Sequence, residues 1–258
     1  MSTEKQTKIN RLINGWPRGT VMTQAYLTDK GYDAFLMRRY REGQWVRSAG
    51  SGAYAMWNDK IEWQGALYTL QQQLSLDVHV GGRSAIELLG SGHYARFREH
   101  VLYLFASPKT VVPKWFMHLD VGREIVLKKT SLLPFDMGQS FTEIKHRDFS
   151  VRASSLERAV LEMLYFVPAQ QGFDEAVKIM DNMMNLRPRL MQQLLEKCRS
   201  VKVKRLLLYM AEKNQLPWLE HIDRECIGLG EGKRHIVKDG VLDKKYLITV
   251  PKEAGMNG

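Results

Sequence analysis

Along the first sixty residues the apolar positions follow a helical period three times and then switch to alternation. Ile9, Leu12 and Ile13 share one face of a helix predicted over Lys5 to Asn14. Gly15, Pro17 and Gly19 interrupt it. Thr20 and Thr23 are each suited to cap the next helix, where Ala25, Tyr26 and Leu27 are the expected buried positions and Gly31 the stop. Asp33 can cap a third helix running to about Arg41. On it Leu36 and Tyr40 lie four residues apart and are expected inward, with Ala34, Arg38 and Arg41 outward and Phe35 and Met37 on the flanks. Two short alternating runs, Trp45 to Ser48 and Ala53 to Met56, then surround an Ala-Gly-Ser-Gly tip and read as a hairpin. Helices followed by a glycine-tipped hairpin are the order of a winged helix-turn-helix, whose common use is to seat one helix in the DNA major groove.

An outward helix face with arginines and a small alanine suits close approach to a groove. Arginine can bond two acceptors of one guanine edge, so Arg38 and Arg41, with Ala34 and Arg39 beside them, are the candidate base-reading residues. Thr20, Thr23 and Gln24, at a predicted helix N-terminus, are candidates to hold a phosphate. Arg47, Ser48 and Ser51 belong to the hairpin, which would lie along the backbone. The competing readings are a small helical domain with solvated arginines and a winged module that docks proteins.

Beyond the hairpin, Ala66, Leu67, Leu70 and Leu74 mark a helix from Glu62 to about Leu74. Val78-His79-Val80 is a short strand, Gly81-Gly82 a turn, and Ser84 to Leu89 a helix ended by Gly90 and Gly92. Strands are expected at His100 to Ala106, Glu124 to Thr130, Phe141 to His146 and Phe149 to Arg152, forming a small mixed or antiparallel sheet. The texture turns helical at Ser154, where Ser154 and Glu157 have capping-box spacing. Pro168 stops that helix, and others follow over Phe173 to Leu186, Pro188 to Cys198 and Val203 to Asn214. Pro217 and Trp218 mark a turn, and the tail alternates around Asp239-Gly240 as a closing hairpin. The expected fold class is α+β. It comprises a winged helix-turn-helix (1–58), a central small α+β domain (59–153) and a mainly helical block closed by a β-hairpin (154–258).

Charge sharpens this picture. The 258 residues carry a formal net charge of +10, which favours an anionic partner. Residues 1–60 hold ten Lys/Arg against five Asp/Glu, so half of the excess sits in under a quarter of the chain. A second basic cluster, Lys197, Arg199, Lys202, Lys204 and Arg205, straddles the break between two C-terminal helices. It is either a solvated junction or a contact surface for nucleic acid or an acidic protein. Two cysteines, Cys198 and Cys226, without CxxC spacing imply buried structural thiols and a cytoplasmic setting. The polar opening MSTEKQTK lacks signal-peptide character, and no apolar run reaches membrane-spanning length.

The search for an enzyme's chemistry returns little. None of His79, His93, His100, His118, His146, His221 or His235 has ligand spacing with another His or Cys, so no metal and no cofactor are expected. Gly81-Gly82 could start a phosphate-cradling helix but lacks the P-loop and GxGxxG patterns, and a plain turn is the better reading. Gly228 to Arg234 fails the same tests and reads as a loop with a basic tip. Glu157, Glu162, Glu220, Asp223 and Glu225 are read as solvated.

Five stretches, two in the N-terminal half and three in the C-terminal half, carry a resemblance. YDAFLMRRYREGQWVRSAGSGAYAM and WQGALYTLQQQLSLDVHVGGRSAIELLGSGHY, together with SLERAVLEMLYFVP, CRSVKVKRLLLYMAE and GLGEGKRHIVKDGVLDKKYLITVP, resemble the AbiEi family of antitoxins and transcriptional autoregulators of type IV toxin–antitoxin systems. The resemblance implies a non-enzymatic protein with two roles. Its winged domain would bind inverted repeats in its own promoter and repress the operon, and its C-terminal region would counter a nucleotidyltransferase toxin without a stable complex. Members are associated with phage defence, and the family supplies no catalytic residues to transfer. On that reading the Lys197 to Arg205 run is the candidate antitoxin surface, and a monomer in solution is expected. Two other readings stay open: an effector-responsive regulator with a pocket near His79, Gly82 and His93, and an enzyme that uses the wing only for docking.

Overall fold

The computed structural model describes residues 7–90 and 100–252. Its first element, α1 (Lys8–Asn14), is capped by Thr7, whose hydroxyl accepts from the Asn10 N–H. A two-residue strand, β1 (Met22–Thr23), leads into α2 (Gln24–Asp29) and α3 (Ala34–Glu42). The hairpin strands β2 (Val46–Gly50) and β3 (Ala53–Met56) follow. These three strands form one sheet in the order β1-β3-β2, with Met22 opposite Tyr54 and Val46 opposite Met56. This is the winged helix-turn-helix order. Strand β1 escapes sequence reading because two residues are too few to show a period.

Leu12, Trp16, Met22, Leu27, Tyr32, Met37 and Val46 form the core of this region, with Leu36, Tyr40, Tyr54 and Met56 packed around them. Two sequence expectations are corrected here. Ala25 is exposed, because α2 is only six residues long and turns Leu27 alone fully inward. Met37, expected on a flank, is fully buried and sets the inward direction of α3.

The next helix, α4 (Trp63–Tyr68), runs on into a π-helical turn over Thr69–Gln73. That turn ties down the chain before α2. The Thr69 hydroxyl donates to the Val21 carbonyl (2.6 Å), and the Gln73 amide donates to the same carbonyl and accepts from the Thr23 N–H (2.9 Å). Gly65 is required here, since a Cβ would stand 2.0 Å from the Gly19 carbonyl oxygen.

Five strands, β4 (Val78–Val80), β5 (Val101–Ala106), β6 (Glu124–Lys129), β7 (Phe141–His146) and β8 (Phe149–Ser154), make a second sheet in the order β6-β5-β4-β8-β7. Val80 pairs with Ala153 in a parallel register, whereas the two-residue turn between β7 and β8 makes that pair antiparallel, so the sheet is mixed. Two helices are interleaved, α5 (Gly82–Leu88) and α6 (Lys114–Met117).

Four helices complete the chain: α7 (Leu156–Tyr165), α8 (Phe173–Asp181), α9 (Pro188–Lys197) and α10 (Val201–Lys213). A 3-10 turn over Pro217–His221 and the hairpin β9 (Val241–Asp243) with β10 (Ile248–Val250) follow. The capping box does not form: Ser155 occupies the N-cap position, Ser154 donates to Glu162, and Glu157 is engaged by Arg187. The terminal hairpin turns at Lys244 to Leu247, while Asp239-Gly240 shapes the bend before it. The chain divides into two compact units. One gathers the segment up to His79 with Lys109–Ile125 and Glu143–Arg152; the other gathers Val80–Pro108, Val126–Thr142 and the segment from Ala153 on.

Candidate nucleic-acid interface and the basic helix junction

Helix α3 owes its position to three local features. Asp33 caps it, accepting from the Leu36 N–H at 2.7 Å. Gly43 ends it, and Met37 anchors it in the core. At 3.6 residues per turn, an inward face built on Met37, Tyr40 and Leu36 leaves Phe35, Arg38 and Glu42 pointing away. Arg39 flanks that face on one side, and Ala34 and Arg41 on the other. All six are exposed. The outward direction is therefore centred on Phe35 and Arg38 rather than on Ala34, Arg38 and Arg41. Arg38 Nε lies 3.3 Å from Glu42 Oε1, a solvent-exposed pair that holds the guanidinium along the helix and contributes little to stability.

The hairpin is braced. Gly50 sits so close to α6 that a Cβ there would lie 2.5 Å from Trp115 Cβ, and Trp115 is itself buried. The tip residue Ser51 is exposed, and Ser48 is exposed with its hydroxyl bonded to the Gly50 backbone. Arg47 is half-buried and donates to the Asp59 carbonyl at 2.9 Å, which fixes the root of the hairpin.

The proposed phosphate cradle does not assemble. Thr20 is buried and donates to the Pro17 carbonyl. Thr23 is buried as well, accepting from the Tyr26 N–H and hydrogen-bonding to Gln73. Gln24 donates its backbone N–H to Gly52 and its side-chain amide to Thr28 and Tyr32. The Thr20 and Thr23 hydroxyls and the Gln24 amide donors that looked free in sequence are engaged within the fold.

The C-terminal basic run divides in the same way. Arg205 is 2% exposed, and its guanidinium donates to the carbonyls of Leu229, Gly230, Gly232 and Leu247 at 2.6–3.2 Å. Burial, and then the neighbouring Arg234, lower its proton affinity. Lys204 is buried and donates to the Gly228 carbonyl. Lys202 caps the end of α7 through the Tyr165 and Val167 carbonyls, and burial followed by the charge of Lys128 pushes its pKa down. These three are internal braces and are withdrawn as surface contacts. Lys197 and Arg199 are exposed and line a 340 Å³ cleft with Thr130, Ser131, Phe135 and Asp136.

Carboxylates expected in solvent form the polar core of the second unit. Glu162 is 1% exposed and accepts from the Gly82 N–H, the Ser154 hydroxyl and Arg158 Nε. Arg158 is equally buried, stacked over the Phe141 ring at 4.4 Å. The Gly81-Gly82 turn is thereby filled: a Cβ on Gly81 would fall 2.2 Å from Glu162 Oε2 and 2.5 Å from the Phe105 ring. A phosphate or effector cannot use it, and of the two other proposed neighbours His79 is buried and His93 lies outside the described residues. Glu157 is buried too. Burial opposes its ionisation, but hydrogen bonds from the Arg187 side chain and backbone outweigh that and bring it from 4.5 to about 2. Glu220, Asp223 and Glu225 are exposed. Cys198 is buried, and burial raises its pKa. Cys226 is exposed, contrary to expectation, and its hydrogen bond to Asp223 raises its pKa. Among the described residues no three His, Cys, Asp or Glu side chains converge as a metal site would require. Nor is any described helix long and apolar enough to cross a membrane.

A capped arginine-bearing helix beside a braced glycine-tipped hairpin defines a winged helix-turn-helix protein. Comparison of the sequence with known families places it further. Residues 99–251 match the family described as transcriptional regulator, AbiEi antitoxin, type IV TA system, and residues 5–97 match the AbiEi antitoxin N-terminal domain. The chain belongs to the AbiEi antitoxin family of transcriptional regulators. No curated protein matches it. Among solved structures, the crystal structure of the RV2827C protein from Mycobacterium tuberculosis is similar in fold, with a TM-score of 0.56 over 93% of this chain and 88% of that one, at 14% identity.

Proposed function

We propose that this protein represses its own promoter through α3 and the hairpin, and that its C-terminal region counters a nucleotidyltransferase toxin. The observation carrying the first half is the exposed face of α3. Arg38 stands at its centre, Arg39 and Arg41 flank it, and the helix is held rigidly by Met37 and Asp33. A rigid element with unburied guanidinium groups is what base-edge recognition needs. Arg39 and Arg41, on the flanks, are placed for phosphates. Double-stranded DNA is the partner on this reading, and the half-site arrangement follows from the operator.

For the second half, Lys197 and Arg199 are the exposed cations of the C-terminal run and share a cleft with hydroxyl groups and an aromatic ring. They replace the five-residue run as the antitoxin surface. A paired assay separates the two roles: a reporter driven by the protein's own promoter, and growth on co-expression with the neighbouring nucleotidyltransferase. Joint replacement R38A/R41A should release the reporter and leave growth rescue intact. K197E/R199E should do the reverse. Loss of both activities in either folded variant, or retention of both, would sink the division of labour.

A further inference from the structure

Phe35 is the feature of α3 that neither folding nor the arginines explain. Its side chain is 71% exposed, although it lies in a run of three apolar residues whose third member, Met37, is fully buried. The core of the winged region closes around Met37, Tyr32 and Trp16, with Leu36 and Tyr40 packed against it, so Phe35 adds nothing to that packing. It sits in the first turn of α3, beside Ala34 and one turn before Arg38 and Arg39. The helix N-terminal turns are the part that meets base edges when such a module docks. Covering an exposed aromatic ring with an apolar group removes its surface from water and stabilises the contact. The surrounding cations require that this cover be carried by an anion. A DNA major groove supplies both, because thymine alone projects a methyl group there.

We propose that Phe35 is a specificity-determining residue that packs on a thymine 5-methyl group in the operator, one or two base steps from the base read by Arg38. The proposal rests on the DNA-binding reading of α3 and adds a base preference to it. The guanidinium of Arg38 favours guanine; an apolar contact at Phe35 adds a thymine. The neighbouring Ala34 has no bulk to keep the ring from the groove floor.

The test uses the full chain and a duplex taken from the shortest protected segment upstream of its own gene. Each thymine in turn is replaced by deoxyuridine, which removes only the methyl group. Wild-type protein should lose roughly threefold to fivefold in affinity at one thymine per half-site, the worth of one buried methyl group. F35A should bind the unmodified duplex more weakly and show no loss at that position, and F35L should retain part of it. Thermal unfolding of both variants should match the wild type, since the side chain is exposed. Insensitivity of the wild type to every deoxyuridine overturns the proposal, as does the same sensitivity in wild type and F35A. A shift in oligomeric state for F35A, with deoxyuridine sensitivity unchanged, also overturns it and assigns Phe35 to a protein contact. Failure of the wild type to prefer its own upstream DNA over a scrambled duplex is the distinct result that removes the DNA-binding reading itself, and this proposal with it.

Discussion

Replacing Arg205 with alanine should damage the fold. The guanidinium is 2% exposed and makes four hydrogen bonds to carbonyl oxygens, three in the Leu229 to Gly232 loop and one at Leu247 before β10. A hydrogen bond to a charged group contributes about 1.5–3 kcal/mol, which would sum far too high if all four counted in full. They do not, because a single guanidinium bears one desolvation cost, and Gly230 and Gly232 are exposed and regain water once it leaves. The expected loss is therefore about 3–5 kcal/mol, the usual cost of removing one partner from a buried charged cluster. For a chain of this size that lowers Tm by roughly 6–20 °C. Urea and thermal unfolding followed by circular dichroism will measure it, with R199A as an exposed control expected within about 0.5 kcal/mol of wild type. If R205A unfolds with the wild type, or no earlier than R199A, the internal-brace assignment is wrong and Arg205 returns to the surface.

Three other outcomes follow from the geometry. R38A should cost about 1–3 kcal/mol in operator affinity and relax preference at one base position, read by competition with single-substitution duplexes. G81A should destabilise by about 2–3 kcal/mol, because its Cβ meets Glu162 Oε2 and that carboxylate, held by Arg158, Ser154 and Gly82, cannot withdraw; chemical unfolding measures it. Acid should weaken the second unit through Glu157. Its folded pKa of about 2 lies below the ordinary 4.5, so its stabilisation is complete above pH 4.5 and is lost as pH falls towards 2. The loss amounts to about 3 kcal/mol and should be absent in E157Q, which starts from a lower plateau.

The order of helices and hairpin strands in the winged region was legible because Gly, Pro and cap residues punctuate it densely. Strand β1 was not, being two residues long. The orientation of α3 was half legible. Phe35, Leu36 and Met37 are all apolar, and sequence periodicity cannot say which of three consecutive residues points inward until the partners Trp16, Leu27 and Tyr32 are in place. That ambiguity moved Phe35 from a flank to the centre of the exposed face. Thr23 failed as a phosphate ligand for a similar reason, since its partner, Gln73, lies fifty residues downstream, whereas Thr20 turns back to the Pro17 carbonyl. Buried charge was the least legible feature. Glu157, Arg158, Glu162, Lys204 and Arg205 belong to residue types that are seldom enclosed, and each is enclosed by groups distant in sequence. Arg205 reaches its carbonyls 24 or more residues away. The Asp239-Gly240 pair marked a turn correctly but not the hairpin's tip, since Leu247 supplies the left-handed position there.

The most direct test of the central claim is equilibrium binding of the full chain to its own upstream DNA and to a scrambled duplex of equal length, measured across a salt series. The account predicts a preference for the native sequence on the order of 10³-fold at physiological salt, with both affinities falling as salt rises. Equal affinity for the two duplexes, or no binding to either at low salt, would contradict it.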